Sequence, residues 1–304
     1  MNKIITLLII PFLSFGQYYS GPESIEYYLE TDSYFISNSN NGQILELDAN
    51  NNLSIFASNI GAGPYGLEIM DNILYACSGG NLIGFDLNNG SQLLNYDLNA
   101  SFLNGITQKD NILYITDFSG KKLYKYIVEE GYHTEVTSFN KNPNGTYWDS
   151  INNRLIVIFW GNNAPIFSIN PENGQYNTII NTGLGYLDGI TMDECGNFYI
   201  SAWSSNAIHK YSSDFSETEI VANNMSNPAD IFYNQFNSII AVPNSGNNTI
   251  NFISYSCDNS NVHKIYLHKK PINKLDILGR ETIKKGFQLH IYNNGSMEKK
   301  YLIK

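Results

Sequence analysis

A phrase that occurs six times along the chain constrains its fold more than any other feature of the sequence. Each copy has a Pro or Leu anchor, a short stretch that usually holds Gly, and an apolar strand. The anchors are Pro22, Pro64, Leu103, Pro143, Leu187 and Pro228. They lie 42, 39, 40, 44 and 41 residues apart. A period of roughly 40 residues is typical of propeller blades, whereas leucine-rich repeats are shorter.

Every copy continues with further short apolar runs. The third copy, for example, continues as ILYITDFSGKKLYKYI, which indicates two strands joined by a turn, and weaker fourth strands such as LSIFAS and TEIVAN follow in most copies. After the first twenty residues the apolar spacing of a long helix is not sustained. Four short antiparallel strands per copy, joined by turns rich in Asn and Gly, predict an all-β chain folded as a six-bladed β-propeller.

The first strand of a propeller blade lines the central channel, so the residue before the repeated Gly of each copy is expected to point into one pore. These residues are Glu23, Tyr65, Asn104, Asn144, Asp188 and Ala229. Four of them carry a carboxylate or an amide, the oxygen donors that Ca²⁺ prefers. None is His or Cys, which disfavours zinc and copper. The ring predicts a site for Ca²⁺ or another divalent cation, because facing carboxylates otherwise repel or hold a proton.

The charge is divided unevenly between the body of the chain and its C-terminal end. Residues 18–261 carry 7 Lys and Arg against 25 Asp and Glu, whereas residues 262–304 carry 10 against 3. An acidic body argues against nucleic acid or an anionic membrane as a partner and is compatible with cation binding. A solvated surface that keeps the protein soluble explains most of these charges equally well.

With these motifs the body, about residues 18–255, resembles the senescence marker protein, gluconolactonase and luciferin-regenerating family of six-bladed propellers. That family holds one divalent cation with a Glu of the first blade, the Asn of a PNG phrase and the Asp of a DG phrase. The resemblance places these roles on Glu23 in GPESIEY, Asn144 in PNGTYWD and Asp188 in LDGITMD. It also implies that Asn104 in LNGITQ contacts the substrate.

If the resemblance extends to activity, it implies Ca²⁺-dependent hydrolysis of a lactone or an ester. The expected partner is such a small molecule or a carbohydrate-derived ligand. Asp188 would remove the proton of the attacking water, and Asn104 would orient the substrate. Tyr65 or Trp203 would form an apolar wall beside it.

Two departures from the family concern the substrate. An Arg found two residues before the substrate Asn in the sugar-lactone hydrolases is Phe102 here, and the segment ITDFSG leaves Asp117 as the stand-in for an acidic substrate contact. The alternative is a non-catalytic propeller of the NHL type that binds a glycan or a protein partner. In such a propeller, Asn or Asp before Gly only shapes the turn.

The N-terminal segment MNKIITLLIIPFLSFGQ has the composition of an export signal. It combines one Lys, an apolar run of about ten residues, and Ser14 and Gly16 at the −3 and −1 positions before Gln17. The pattern predicts a signal peptide over residues 1–16, with a buried first strand as the alternative. The run is too short for a transmembrane span and no later segment is longer. The propeller, residues 17–257, is therefore expected outside the cytoplasm.

The three cysteines do not form a disulfide framework that the sequence can define. Cys77 lies within an apolar strand pattern and is expected to be a small buried residue. A bridge between Cys195 and Cys257 is compatible with an oxidising compartment, but nothing else in the sequence supports it.

After Cys257 the sequence becomes basic and predicts three alternating strands, with a hairpin turn at Asn294–Gly295. The segments LDILGRE and KGFQLHIYNNGSMEKKYLIK resemble the type A C-terminal sorting domain of the type IX secretion system. This resemblance assigns residues 258–304 to a sorting domain and implies the secretion machinery as its partner, with final release to the surface or the medium. The recognition residues would be Gly279, Arg280, Gly295 and Lys299. A closing strand followed by a solvated basic end is the alternative.

Overall fold

The computed structural model describes residues 18–257, 271–276, 280, 286–292 and 297–302. Within these ranges the regular elements are all β-strands. The described residues contain no helix that is long and apolar enough to span a membrane. The predicted signal peptide, residues 1–16, lies outside the described residues, as do Gly279, Asn294 and Gly295.

Five sheets have four antiparallel strands each, in sequence order from the pore outward. Blade 1 contains β1 (Pro22–Tyr28), β2 (Ser33–Asn38), β3 (Gln43–Leu47) and β4 (Leu53–Ala57). Blade 2 contains β5 (Leu67–Met70), β6 (Ile73–Ser78), β7 (Asn81–Asp86) and β8 (Gln92–Asp97). Blade 3 contains β9 (Leu103–Lys109), β10 (Ile112–Asp117), β11 (Lys122–Ile127) and β12 (Tyr132–Ser138). Blade 4 contains β13 (Asn142–Asp149), β14 (Arg154–Trp160), β15 (Pro165–Ile169) and β16 (Tyr176–Asn181). Blade 5 contains β17 (Leu187–Met192), β18 (Phe198–Ala202), β19 (Ala207–Tyr211) and β20 (Thr218–Ala222).

Blade 6 has three strands among the described residues: β21 (Phe232–Asn234), β22 (Ile239–Asn244) and β23 (Thr249–Ser254). A bridge between Pro228 and Asn244 prolongs the pairing of its inner edge. The sequence leaves open whether residues 18–20 complete this blade. In the structure they lie against blade 1, where Asn38 Nδ2 donates to Tyr18 O at 3.3 Å and Asn40 N donates to Ser20 O at 3.2 Å.

The first strands of the six blades contact one another around the pore, which confirms the predicted six-bladed propeller. Apolar side chains of adjacent blades pack between the sheets. Ile156 and Ile158 of blade 4 share a buried cluster with Leu187 and Ile200 of blade 5. Each such side chain stabilises the fold by roughly 1.5–3 kcal/mol when fully buried. Packing between blades therefore fixes where the inner strands lie.

Two of the three cysteines are joined. Cys195, in the turn between β17 and β18, forms a disulfide with Cys257, which follows β23; their Cα atoms are 6.1 Å apart and 62 residues apart in sequence. Cys77 in β6 is free and fully buried, as its strand pattern predicts.

The C-terminal part contains a small antiparallel sheet of β24 (Pro271–Leu275), β25 (Gly286–Tyr292) and β26 (Met297–Leu302). This agrees with the small β module predicted from the alternating pattern. Arg280 Nη2 lies 2.8 Å from Asp276 Oδ2. Lys299 pairs with Leu289 in the ladder between β25 and β26.

Candidate functional site in the pore

The inner strands all begin at the same end of the pore, which we name the mouth; the opposite end is the far end. Glu23, Asn104, Asn144 and Asp188 lie near the starts of β1, β9, β13 and β17. In each of these strands the pairing with the second strand shifts register at that point. A β-bulge leaves a residue unpaired and re-aims its side chain. The four polar side chains predicted from the repeat therefore occupy equivalent bulges at the mouth.

Hydroxyl groups of the second strands tie these bulges to the next blade. In blade 3, Gly105 N donates to Thr116 Oγ1 at 2.8 Å, and the Thr116 hydroxyl donates to Asn144 O at 2.7 Å. In blade 5, Ser201 Oγ accepts from the backbone of β17 and donates to the backbone of blade 6 at 2.7 Å in each case. The bulges are thus held by hydrogen bonds that cross from blade to blade.

Glycine allows the inner strands to approach closely at this level. A Cβ atom at Gly145 would lie 2.5 Å from Asp188 O, a distance that real Cβ atoms do not reach. The same crowding occurs at the equivalent glycines Gly66, Gly105 and Gly189. The repeated Gly therefore has a packing role, since only a residue without Cβ lets the neighbouring backbone come so near.

The acidic groups of the mouth interact strongly with one another. Burial, followed by the charge of Asp230, raises the pKa of Glu23 to about 8. Burial also raises the pKa of Asp188 well above its ordinary value, and the charges of Glu23 and Asp230 raise it further. Asp188 is 2% exposed and Glu23 is 9% exposed. These carboxyls come from three different blades and repel one another when ionised, which a proton or a cation relieves.

Two buried oxygens of the predicted cation ligands accept no hydrogen bond from any described residue: Oδ1 of Asn144 and Oδ1 of Asp188. The amide of Asn144 is oriented because its Nδ2 donates to Leu187 O at 3.0 Å, which leaves Oδ1 as an acceptor. A buried acceptor without a donor costs about 1–3 kcal/mol. Carboxylate and amide oxygens of this kind are ligands of Ca²⁺. The residues present therefore fit the divalent cation that the resemblance implies.

Asp230 is a pore carboxylate that was not predicted from the sequence. Its N–H donates to Glu23 O at 2.8 Å, and Ser24 Oγ donates to its Oδ2 at 2.8 Å. Burial raises the pKa of Asp230 to about 7. The signal was available, because Asp230 takes the place that the other five copies give to a small residue: Ser24, Gly66, Gly105, Gly145 and Gly189.

The predicted substrate contacts Tyr65, Asn104 and Trp203 also lie at the mouth. The pKa of Tyr65 is raised by burial and then by the charge of Glu23, so its phenol lies within reach of the electrostatic field of that carboxyl. Asn104 is 7% exposed, and its carbonyl accepts from Gly66 N at 3.1 Å. The indole N–H of Trp203 lies near enough to Asp188 to offset part of the rise in its pKa. The two groups do not reach hydrogen-bonding geometry, and among the described residues the buried Nε1 has no other acceptor.

Asp117 is placed differently from the other predicted substrate contacts. It is 1% exposed; its Oδ2 accepts from Ser101 N at 2.9 Å, while its Oδ1 accepts from Phe102 N at 2.9 Å and Gly120 N at 2.8 Å. Both oxygens are thus engaged by the backbone. The geometry gives Asp117 the role of holding the loop that leads into β9, not that of a free acceptor at the mouth.

A cavity of about 430 Å³ occupies the far end of the pore. Glu26, Glu68 and Asp230 line it, whereas the mouth residues Glu23 and Asp188 do not. Burial, then the charges of Glu68 and Asp230, raise the pKa of Glu26 well above its ordinary value. Burial raises the pKa of Glu68 to about 8. The pore is therefore acidic along its length, and Glu26 and Glu68 are further members that were not predicted.

The tightest group of acidic or sulfur ligands lies away from the mouth. One oxygen of Asp193 and the sulfurs of Cys195 and Cys257 lie within 4.8 Å of one another, but the two sulfurs form the disulfide and offer no thiolate. Within the described ranges, no three carboxylate, thiol or imidazole groups approach so closely at the mouth. A cation there would rest on two carboxylates, amide oxygens and water.

Solved structures with this fold place the chain among the six-bladed β-propellers. It is similar to a streptogramin B lyase structure, with TM-score 0.61, 18% identity, and coverage of 96% of this chain and 94% of that chain. It is also similar to selenomethionine-substituted virginiamycin B lyase from Staphylococcus aureus, with TM-score 0.57, 16% identity and coverage of 93% and 96%. A chain of a nidogen/laminin complex gives TM-score 0.63, 13% identity and coverage of 70% and 86%.

These likenesses show the fold alone, because proteins with one propeller fold can have many unrelated functions. No protein-family model matches the sequence, and no curated protein matches it either.

Proposed function

We propose that this protein is a divalent-cation-dependent hydrolase of a lactone or an ester, similar in function to gluconolactonases. The observation that carries the proposal is the pair of buried oxygens without donors, Asn144 Oδ1 and Asp188 Oδ1, beside the protonatable carboxyl of Glu23. Groups with strongly perturbed pKa values that converge on one point of a pore are typical of functional sites.

The chain's own residues divide the work of such a reaction. Glu23, Asn144 and Asp188 would hold Ca²⁺ or another divalent cation, which would polarise the substrate carbonyl and lower the pKa of water. Asp188 would accept the proton of the attacking water at its carboxylate. Asn104 would orient the substrate through its amide, and the rings of Tyr65 and Trp203 would restrict the access of other water.

The test is a calorimetric titration of the full chain with Ca²⁺, followed by a panel of lactones and esters. Asp188→Asn removes the anion but keeps the shape, so we expect Ca²⁺ affinity to fall by at least about tenfold and hydrolysis to be lost. The matched control is Asp97→Asn, because Asp97 is exposed on β8 and its side chain accepts from Asn99 N at 2.7 Å, with no other donor among the described residues. Wild-type turnover in Asp188→Asn would end the proposal.

A second candidate is a non-catalytic propeller that binds a glycan or a protein partner. Two observations favour it: the mouth carboxylates are only 2–9% exposed, and the cavity of about 430 Å³ lies at the far end. The likeness to a propeller in a nidogen/laminin complex is compatible with such a role. If the titration shows no uptake of divalent cations, this candidate replaces the hydrolase.

We also propose that residues 1–16 direct export and that the basic C-terminal module directs passage through the outer membrane to the surface or the medium. Support comes from the two sequence patterns and from the opposite charges of the body and the C-terminal end. Deleting residues 262–304 is expected to leave the propeller in the periplasm, as measured by cell fractionation. Unchanged release to the medium would refute this role of the module.

A further inference from the structure

Six aromatic rings form a continuous arc at the mouth. Tyr65 contacts Phe102 with ring centroids 4.6 Å apart, Phe102 contacts Phe118 at 5.8 Å, and Phe118 contacts Trp160 at 6.1 Å. The arc then divides, because Trp160 contacts both Tyr186 at 5.0 Å and Trp203 at 4.9 Å. The rings come from four consecutive blades, blades 2 to 5, and we call them the aromatic arc.

The first ring of the aromatic arc, Tyr65, and one of its last two rings, Trp203, lie near acidic groups of the mouth. Tyr65 is close enough to Glu23 for that charge to raise its pKa, and the indole of Trp203 faces Asp188. The middle of the arc lies at the same level, since Phe102 directly precedes β9, and Phe118 follows β10. The arc therefore borders the candidate site on one side.

The arc is incompletely covered, although aromatic rings are usually well buried. Five of its rings are half-buried, and Tyr186 is 36% exposed. Tyr186 also has a φ of 56°, a left-handed conformation that is unfavourable for a bulky residue and is held by hydrogen bonds to Gly161 and Trp203. Adjoining exposed apolar surface of this kind at a functional site is typical of a ligand-binding surface.

One buried polar atom of the arc has no hydrogen-bond partner among the described residues. Trp203 Nε1 is buried and makes no hydrogen bond, while the neighbouring Asp188 Oδ1 accepts none. A carbonyl oxygen placed beside the arc would satisfy this N–H donor. The arc thus offers apolar ring surface at its middle, the buried N–H donor of Trp203 and the phenol hydroxyls of Tyr65 and Tyr186, a combination that fits a ligand with an apolar ring next to a carbonyl.

We propose that the aromatic arc binds an apolar ring of the ligand, so that the substrate is an aryl-bearing lactone or ester and not a polyhydroxylated sugar lactone. The substrate part of this proposal rests on the hydrolase function proposed above, whereas ring binding does not. Phe102 and Phe118 have no polar atom, so hydroxyl groups pressed against them would lose hydrogen bonds to water without replacement. An aryl ring loses none and gains edge or face contacts with the arc.

The experiment compares six-membered lactones on the full Ca²⁺-loaded protein: dihydrocoumarin, which carries an arene, δ-valerolactone, which does not, and gluconolactone, which carries hydroxyls. Phe118→Ala is expected to lower kcat/KM for dihydrocoumarin about fivefold to tenfold and to change the other two less than about twofold. Phe118→Leu, which keeps apolar volume without a ring, should show the same selective loss if Phe118→Ala folds poorly. The control is Phe252→Ala, because Phe252 is a partly exposed Phe outside the arc, on β23, where its ring contacts that of Tyr34.

A binding measurement separates this proposal from the hydrolase function. Chromane has the fused ring of dihydrocoumarin without its carbonyl and cannot be hydrolysed, so saturable quenching of tryptophan fluorescence reports ring binding alone. Saturation by chromane that weakens in Phe118→Leu supports the arc even if no lactone is hydrolysed. Hydrolysis of gluconolactone that Phe118→Leu lowers as much as that of dihydrocoumarin would overturn the arc and leave the hydrolase standing. Absence of saturable chromane binding would also overturn it.

Discussion

Carboxyl groups, more than any other side chains, define the character of this pore. Glu23 and Asp188 lie at the mouth, Glu26 and Glu68 lie towards the far end, and Asp230 interacts with all four. Burial is the first cause of every one of their raised pKa values, because a low-dielectric environment disfavours the charged form. Protonation of these carboxyls relieves their mutual repulsion, so the charge of the pore depends on pH.

This dependence can be tested at Glu68, which is not one of the proposed cation ligands. Its pKa is raised from 4.5 to about 8, so the folded state binds its proton more tightly than the unfolded state does. The resulting stabilisation is complete below the unfolded pKa and is lost as the pH rises through about 8. In the presence of a chelator, we expect the free energy of unfolding to fall between pH 5 and pH 9. Over the same pH range the free energy of unfolding of Glu68→Gln should fall less than that of the wild type. The difference between the two losses should be on the order of a few kcal/mol.

The matched control for that comparison is Glu129→Gln. Glu129 is exposed and accepts a hydrogen bond from Asn111 Nδ2 at 2.7 Å, which a glutamine can also accept. The free energy of unfolding of Glu129→Gln should depend on pH as that of the wild type does. Self-repulsion in a chain with net charge −10 lowers the stability of both proteins alike as carboxyls ionise. Denaturant unfolding at each pH measures the effect, and parallel losses in the wild type and Glu68→Gln would contradict it.

At the scale of the strand, the bulges explain which pore residues could be predicted. Side chains of a regular strand alternate between faces, so residues three apart point in opposite directions. The register shift in β1 between Pro22 and Ile25 resets this alternation, so Glu23 and Glu26 both reach the pore. The repeated Gly marked the first of these positions, but the sequence does not show the bulge that brings in the second.

Features that join distant strands were also beyond prediction from the sequence. The repeat period and the alternation of apolar residues predicted the blades, because those signals are local. The bond between Cys195 and Cys257 and the ring contacts of Phe102, Phe118 and Trp160 depend on how blades pack, which a single sequence does not encode in its spacing. The mouth was therefore predictable as a list of oxygen donors with Tyr65 or Trp203 as an apolar wall, and the continuous aromatic arc that joins these two rings was not.

At the scale of the whole molecule, the propeller must join its first blade to its last. No described strand of blade 6 comes from the N-terminal part of the chain, so side-chain and backbone contacts hold this seam. Asp230 bonds to Glu23 and Ser24 at the pore, Gly21 N donates to Asn248 Oδ1 at 2.7 Å, and Asn234 Nδ2 donates to a tyrosine hydroxyl of β2 at 2.9 Å. A small buried cluster around Ile25 and Ala241 completes the seam.

The disulfide holds blade 6 from its other side, because it fastens the segment after β23 to the turn between β17 and β18 of blade 5. Replacing both Cys195 and Cys257 by Ser is expected to lower the free energy of unfolding by about 2–4 kcal/mol, since a loop of 62 residues gains freedom in the unfolded chain. Chemical denaturation with and without a reducing agent measures this loss. The reducing agent should weaken the wild type to the level of the double variant and leave the variant unchanged, because the remaining Cys77 is free and buried. If the variant and the wild type unfold at the same denaturant concentration under oxidising conditions, the packing of blade 6 against its neighbours holds it in place and the bond adds nothing to its stability.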